Sequence, residues 1–261
     1  MAQVVVVDGA HEAGILASST ILLALKEKPN LVLGLATGAS PQPVYRSLAS
    51  RISNQHIDVS LVRGFALDEY VGLSPDHPAS YNSTINREVV LPMGLDPDRV
   101  LVPRGKVAEV SHAGEDFEEQ LTQSGGVDIQ ILGVGSNGHV GFNEPGSSLA
   151  SLTRVKTLTE QTRSDNARFF DSPEEVPTHC VTQGIGTILR ARRIILLAFG
   201  LSKAQALSRA VEGPITSSCP ASAIQLHPRV TVLADLEAAS QLTQLDYYQR
   251  AWQSRPDWQR L

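Results

Sequence analysis

Two clusters of side chains in this sequence could move protons, and each follows an apolar run. Asp68 and Glu69 close the run Phe65-Ala66-Leu67. On an extended chain adjacent side chains point to opposite faces, so one carboxylate can enter a cleft while the other bonds to backbone. A carboxylate shielded from water has a raised pKa and can take a proton from a carbon next to a carbonyl. Asp68 is the candidate base, although standing alone it reads first as the cap of a following helix. The second cluster is Asn137, His139 and Glu144, an amide, an imidazole and a carboxylate inside Gly133–Pro145. Imidazole is the usual proton shuttle near neutral pH, and Glu144 can orient it or share in the transfer. A lone histidine is more often a satisfied structural residue; the company of Asn137 and Glu144 lowers that reading without removing it.

Other residues suit an anion. Thr37, Gly38, Ala39 and Ser40 are small and stand between an apolar run and Pro41. Backbone N–H groups of such a turn, with the positive end of the helix that follows, can hold a phosphate. A plain turn with a capping hydroxyl accounts for them equally well. Lys203, just after Ile194–Phe199, can reach a phosphate as a point charge, and Arg168 in QTRSDNARFF offers a second cation. Solvated surface residues are the alternative for both. The Gly133–Gly138 run contains GxGxxG, yet it leads into His139, Gly141 and Pro145 rather than a sustained helix. No acidic residue stands where the ribose contact of a dinucleotide fold belongs, so a nicotinamide cofactor is not expected. No GK[ST] follows the small-residue loop and no Cys/His cluster occurs, so neither ATP nor a metal is expected. His227 and Cys180 read as structural.

These residues need a frame, and the pattern supplies one. Apolar runs at Val4–Val7, Leu31–Leu35, Leu61–Leu67, Asp128–Leu132, Arg193–Phe199 and Val230–Leu233 predict strands. Helical patterns lie at His11–Lys28, from Pro41 or Pro43 through Leu48, and near Lys203–Val211. Alternating strands and helices predict an α/β, Rossmann-like, mostly parallel sheet with helices on both faces. In such sheets ligands bind beyond the carboxyl ends of the strands, where the candidate residues fall. A single domain over residues 1–261 is expected. The tail, with Tyr247, Tyr248, Trp252 and Trp258, predicts a last helix or a crossing to a partner.

Composition narrows the function. A net charge of −5 without a dense basic block argues against nucleic acid or an anionic membrane as partner, so phosphate affinity must be local. Two cysteines with no motif spacing predict reduced, buried thiols and a cytoplasmic location. Val4–Val7 is broken by Asp8 and Gly9, so no secretory leader is expected.

Taken together, LGLATGASPQPVY, FALDEYVGL with HPASY, the stretch from GVGSNGHVGFNEPGSS to NARFF, and QLHPRVTVLAD resemble the glucosamine-6-phosphate deaminase family. The resemblance runs from about Leu33 to about Asp235. It implies conversion of glucosamine 6-phosphate to fructose 6-phosphate and ammonia, without cofactor. It also implies that Asp68 moves the C2 proton and that His139 opens the ring with Asn137 and Glu144. Thr37 to Ser40, Arg168 and Lys203 would hold the 6-phosphate. Some members carry Asp where this chain has Asn137. Ser147, Ser148, Arg154, Lys156 and Thr157 match part of the effector site that allosteric, hexameric members form between subunits, which would imply a homo-oligomer; the same segment equally resembles a lid over the active site. A lactonase of the same superfamily would show DER at Asp68–Tyr70 and a DGHTASLF-like run in place of NGHVGFNEP. A silent sugar-phosphate sensor is the other alternative, against which stands the presence of Asp68, His139 and Glu144.

Overall fold

The computed structural model describes residues 2–256, so Trp258 lies outside them. Strands β1 (Gln3–Val7), β2 (Val32–Leu35), β3 (Arg63–Ala66), β5 (Val100–Leu101), β6 (Ile129–Gly133), β9 (Arg193–Ala198) and β10 (Val230–Asp235) form one sheet. Its order is β1-β10-β9-β6-β2-β3-β5, and every pairing is parallel. A second, antiparallel sheet of order β4-β8-β7 joins β4 (Asp68–Tyr70), β8 (His179–Thr182) and β7 (Arg154–Thr157). The helices are α1 (Ala10–Glu27), α2 (Gln42–Gln55), α3 (Tyr81–Ile85), α4 (Leu91–Met93), α5 (Ala113–Gln123), α6 (Glu160–Asn166), α7 (Ile185–Ile188), α8 (Ala204–Val211) and α9 (Leu245–Gln253).

Both faces of the large sheet are covered, which is why its strands are apolar throughout rather than alternating. In β9, Ile194, Leu196 and Ala198 pack on the side of α5, α7 and α8, while Ile195 and Leu197 pack on the side of α1 and α2. Tyr248 of α9 is buried, and Trp252 packs on the α1–α2 side, so the tail forms a last helix of this chain. No helix among the described residues is long and apolar enough to cross a membrane.

The expected strand Leu61–Leu67 is divided. Leu67 donates its N–H to Leu35 of the large sheet, but its carbonyl accepts from the Gln183 N–H beside the small one. The chain therefore changes sheets at Leu67, and Asp68 opens β4 instead of ending β3. The helix expected to stop near Leu48 continues to Gln55.

Strands β2 and β6 are central neighbours. From β2 the chain turns into α2 on one face; from β6 it runs through a long loop and returns by α7 on the other. Such a reversal opens a crevice at the strand ends. Asp128 holds the opposite end of this pair. It is buried, accepts the Val32 N–H at 2.8 Å, and binds Lys28 Nζ at 2.7 Å and Arg192 Nη1 at 2.6 Å. Asp128→Ala leaves a buried N–H unpaired. It is expected to cost about 1–3 kcal/mol in urea unfolding while leaving turnover at the far strand ends unchanged.

Candidate active site

The pleat of β4 sends its two carboxylates apart. Glu69 accepts the N–H groups of Tyr70 at 2.7 Å, Tyr81 at 3.0 Å and Asn82 at 2.8 Å. Two of these are the free donors at the start of α3, and the Ser80 hydroxyl takes a third from Ser83. Glu69, not Asp68, is therefore the helix-capping acid. Burial pushes its pKa up, and the three N–H groups pull against that.

Asp68 faces the other way and is 4% exposed. Its pKa is raised to about 8, first by burial and then by the neighbouring charge of Glu69; the Phe142 N–H and the Thr182 hydroxyl pull it down. Phe142 belongs to the loop after β6, so the base sits against the segment that carries the imidazole.

That loop has no helix after its glycines. Gly135 allows the imidazole to lie directly on the backbone: an added Cβ would stand 2.2 Å from the His139 ring. The Gly135 N–H donates to His139 O at 2.9 Å and the Gly138 N–H to Gly135 O at 2.9 Å, closing a tight turn. Asn137 holds the backbone rather than the ring. Its Oδ1 accepts the His139 N–H at 3.0 Å and its Nδ2 donates to Glu144 Oε2 at 3.0 Å. The same Glu144 oxygen stands 3.8 Å from His139 Nδ1, which is buried and without a hydrogen bond among the described residues. Burial lowers the His139 pKa, the Glu144 charge opposes this, and the Lys203 charge reinforces it. The imidazole is therefore neutral near pH 7. Burial alone would raise Glu144, but Thr162, His139, Asn137 and Thr159 together outweigh it and keep the carboxylate ionised.

The anion candidates line the same crevice. Gly38 adopts φ 91°, a left-handed conformation, and an added Cβ there would meet nothing within 4 Å. Its N–H, with those of Ala39 and Ser40, makes no hydrogen bond among the described residues. Ser40 faces Gly133 at the end of β6, with 3.7 Å between its Cβ and an added Cβ there. Thr37 lies close enough to the Tyr81 hydroxyl to lower its pKa, and Asp68 raises it. Lys203 lies on the turn Leu201–Lys203. Burial lowers its pKa, Asp165 opposes and Arg168 adds to the lowering, so the two cations are neighbours. Arg168 is exposed on the turn Ala167–Phe169 after α6.

The structure thus brings Asp68, Asn137, His139, Glu144, Thr37–Ser40, Lys203 and Arg168 to one end of the sheet. It places Arg154, Lys156 and Thr157 elsewhere, on the edge strand β7, and Ser147 is buried after the loop with its hydroxyl unpartnered among the described residues. Arg154 donates to Asn143 Oδ1 at 2.7 Å, so it braces the loop from outside. A cavity of about 340 Å³ on the far side of Glu69, lined by Leu73, Asn82, Arg104 and Lys106 among others, holds none of the candidate site residues.

Residues 8–233 match the family described as glucosamine-6-phosphate isomerases/6-phosphogluconolactonase. The chain belongs to that family. It is 53% identical over 268 residues to a glucosamine-6-phosphate deaminase of Bifidobacterium longum (strain NCC 2705), covering 99% of each chain. It is 52% identical over 258 residues to one of Streptomyces coelicolor, covering 98% of this chain and 99% of that one. A solved structure described as a monomeric glucosamine-6-phosphate deaminase of the NagB superfamily superposes with a TM-score of 0.89 at 42% identity, over 92% of this chain and 99% of that one. The 6-phosphogluconolactonase of Trypanosoma brucei superposes with a TM-score of 0.76 at 19% identity, over 93% and 99%, a likeness of fold alone.

The residues that were not singled out from sequence are Tyr81, Thr182 and Asn143. Tyr81 lay inside the HPASY segment, but a tyrosine before a helix carries no signal of its own. Thr182 and Asn143 become visible only when β8 and the loop are placed beside Asp68.

Burying the Asp68 carboxyl also costs stability. The native state holds the Asp68 proton more tightly than the unfolded chain, whose carboxyl has a pKa of about 4. Stability from this group therefore falls as pH rises from about 4 to about 8 and is flat above. Asp68→Asn should raise Tm at pH 9, by about 2–4 °C for each kcal/mol relieved, and should change it little below about pH 4; thermal denaturation at both values checks this.

Proposed function

We propose that this chain, acting as one α/β unit in the cytoplasm, deaminates glucosamine 6-phosphate to fructose 6-phosphate and ammonia. The observation that carries the reading is the buried Asp68 carboxylate held against the loop of His139 and Glu144, beside an open anion cradle at Gly38. The similarity to the Bifidobacterium and Streptomyces deaminases over nearly the whole chain supports it.

The 6-phosphate binds the free N–H groups at Gly38–Ser40 and the cations of Lys203 and Arg168, which fixes the flexible open-chain sugar and supplies orientation. His139, neutral at rest, takes the C1 hydroxyl proton and returns it to the ring oxygen. Glu144 supplies the negative charge that stabilises the transient imidazolium; Asn137 holds both in place. Asp68, once ionised, takes the C2 proton of the open form and delivers it to C1. The resulting ketose imine is hydrolysed by water, releasing ammonia. Every group in this sequence comes from one chain, so the chemistry requires no second subunit. Assembly into a homo-oligomer, and any effector response, would act through the segment from Ser147 to Thr157.

Purified protein should release ammonia from glucosamine 6-phosphate. Asp68→Asn should abolish both turnover and exchange of the C2 proton with solvent, while still binding the sugar phosphate. Absence of ammonia, together with hydrolysis of 6-phosphogluconolactone, overturns the reading. Lys203→Met is expected to raise KM about 10- to 100-fold, the worth of one hydrogen bond to a charged group, with a smaller effect on kcat.

A further inference from the structure

Thr182 lies directly across the small sheet from Asp68, as its partner in the antiparallel β4–β8 register. It is fully buried. Its Oγ1 accepts the Phe142 N–H at 3.2 Å and lies 3.3 Å from Gln183 O. Gly141, one residue before Phe142, comes so close that an added Cβ would stand 3.2 Å from both Asp68 Oδ2 and Thr182 Oγ1. The carboxylate, the hydroxyl and the Gly141–Phe142 backbone therefore form a single junction between the base and the loop of His139.

We propose that Thr182 is the positioning residue for Asp68, its hydroxyl serving as a donor that turns to the carboxylate when the base is ionised and away when the base carries the substrate proton. A hydroxyl has one proton and can serve one acceptor at a time. The alternative acceptor, Gln183 O, already receives Asn143 Nδ2 at 2.8 Å, so it loses little when the hydroxyl leaves it. The rotation needs no backbone movement and keeps the Phe142 N–H bond to Oγ1. It also keeps the carboxylate aimed at the crevice in both protonation states. The inference rests on Asp68 being the base.

The surroundings make such a donor necessary. The titratable groups whose charge bears on Asp68 or that feel its charge are Glu69 from the same strand, acting from the opposite side of the pleat, Tyr70, Tyr81 from α3 and Cys180 from β8. None of them is a cation. β7 carries two cations, Arg154 and Lys156, and Arg154, the one paired with Thr182, is turned to Asn143. The Phe142 N–H and the Thr182 hydroxyl are the groups that favour the charged form, against burial and the charge of Glu69.

The test compares Thr182→Val, which keeps the shape and loses the hydroxyl, with Thr182→Ser, which keeps the hydroxyl. In the native enzyme kcat/KM should rise as pH passes about 8. Thr182→Val is expected to move that limb up by roughly half to one pH unit, so that kcat/KM at pH 7 falls about 3- to 10-fold with KM nearly unchanged. Thr182→Ser should restore the native profile. Titration of the Asp68 carboxyl by carbon-13 NMR in the ligand-free variants should show the same displacement. An unmoved limb and titration in Thr182→Val, a loss equal at every pH, or a Ser variant as impaired as Val each overturns the proposal. Failure of the reading beneath it looks different: Asp68→Asn would then retain C2-proton exchange whatever Thr182 does.

Discussion

The site depends on keeping two adjacent carboxylates from acting as one. Asp68 and Glu69 are both buried, and close like charges raise each other's pKa. The pleat of β4 separates their directions, and the N-terminus of α3 takes up the charge of Glu69 through two backbone N–H groups, with a third from Tyr70. Glu69 can then remain ionised while Asp68 keeps a raised affinity for its proton. A base poised in this way is strong enough to take a proton from carbon once ionised, and close enough to neutral pH to be ionised in a working fraction of molecules. The same capping contact fixes α3, and with it Tyr81, whose hydroxyl is influenced by both Thr37 and Asp68. One strand of three residues thus sets the proposed base and the helix beside it.

Much of the large sheet could be read in the sequence because burial on both faces leaves long apolar runs, and β1, β2, β6, β9 and β10 each lie where such a run was found. The loops at their carboxyl ends followed, since a parallel sheet forces them to one edge. The small sheet left no such trace. Its strands have three or four residues, and Arg154–Thr157 alternates charged and uncharged residues in a way that any surface segment can. One of its two pairings, β4 with β8, joins residues more than a hundred positions apart, as Asp68 with Thr182. A run ending in Asp68 therefore looked like one strand, and only the Leu67 carbonyl, committed to Gln183, divides it. Acid–base residues were legible by type, whereas Thr182 and Asn143 matter through where they sit.

The glycine pattern after β6 illustrates how one motif can serve two physical ends. In a dinucleotide fold such glycines admit a pyrophosphate to a helix N-terminus. Here no helix follows, and the space left by Gly135 is filled by the ring of His139. The close backbone approach is the same, but it is used from within, to seat a side chain. The absence of a sustained helical pattern after Gly138 was the sequence feature that separated the two uses, because an anion site of that kind needs the helix dipole behind it.

In the proposed mechanism, Asn137 changes the electrostatics of the ring-opening group more than its geometry. An aspartate at this position would place a second anion within reach of Glu144, and the two would compete for protons. The amide instead bridges the His139 N–H and Glu144 Oε2 at 3.0 Å each, fixing both partners while adding no charge. The stabilisation of an imidazolium then falls to Glu144, with Lys203 acting against it from the phosphate side. Arrival of the substrate reverses that last influence. In that mechanism a phosphate bound at Lys203, with about two negative charges, neutralises the field of Lys203 at His139, so the imidazole becomes more basic when there is a sugar to open. Binding energy from the remote phosphate is in this way converted into proton affinity at the reacting end, which is differential stabilisation of the kind that raises kcat rather than merely lowering KM.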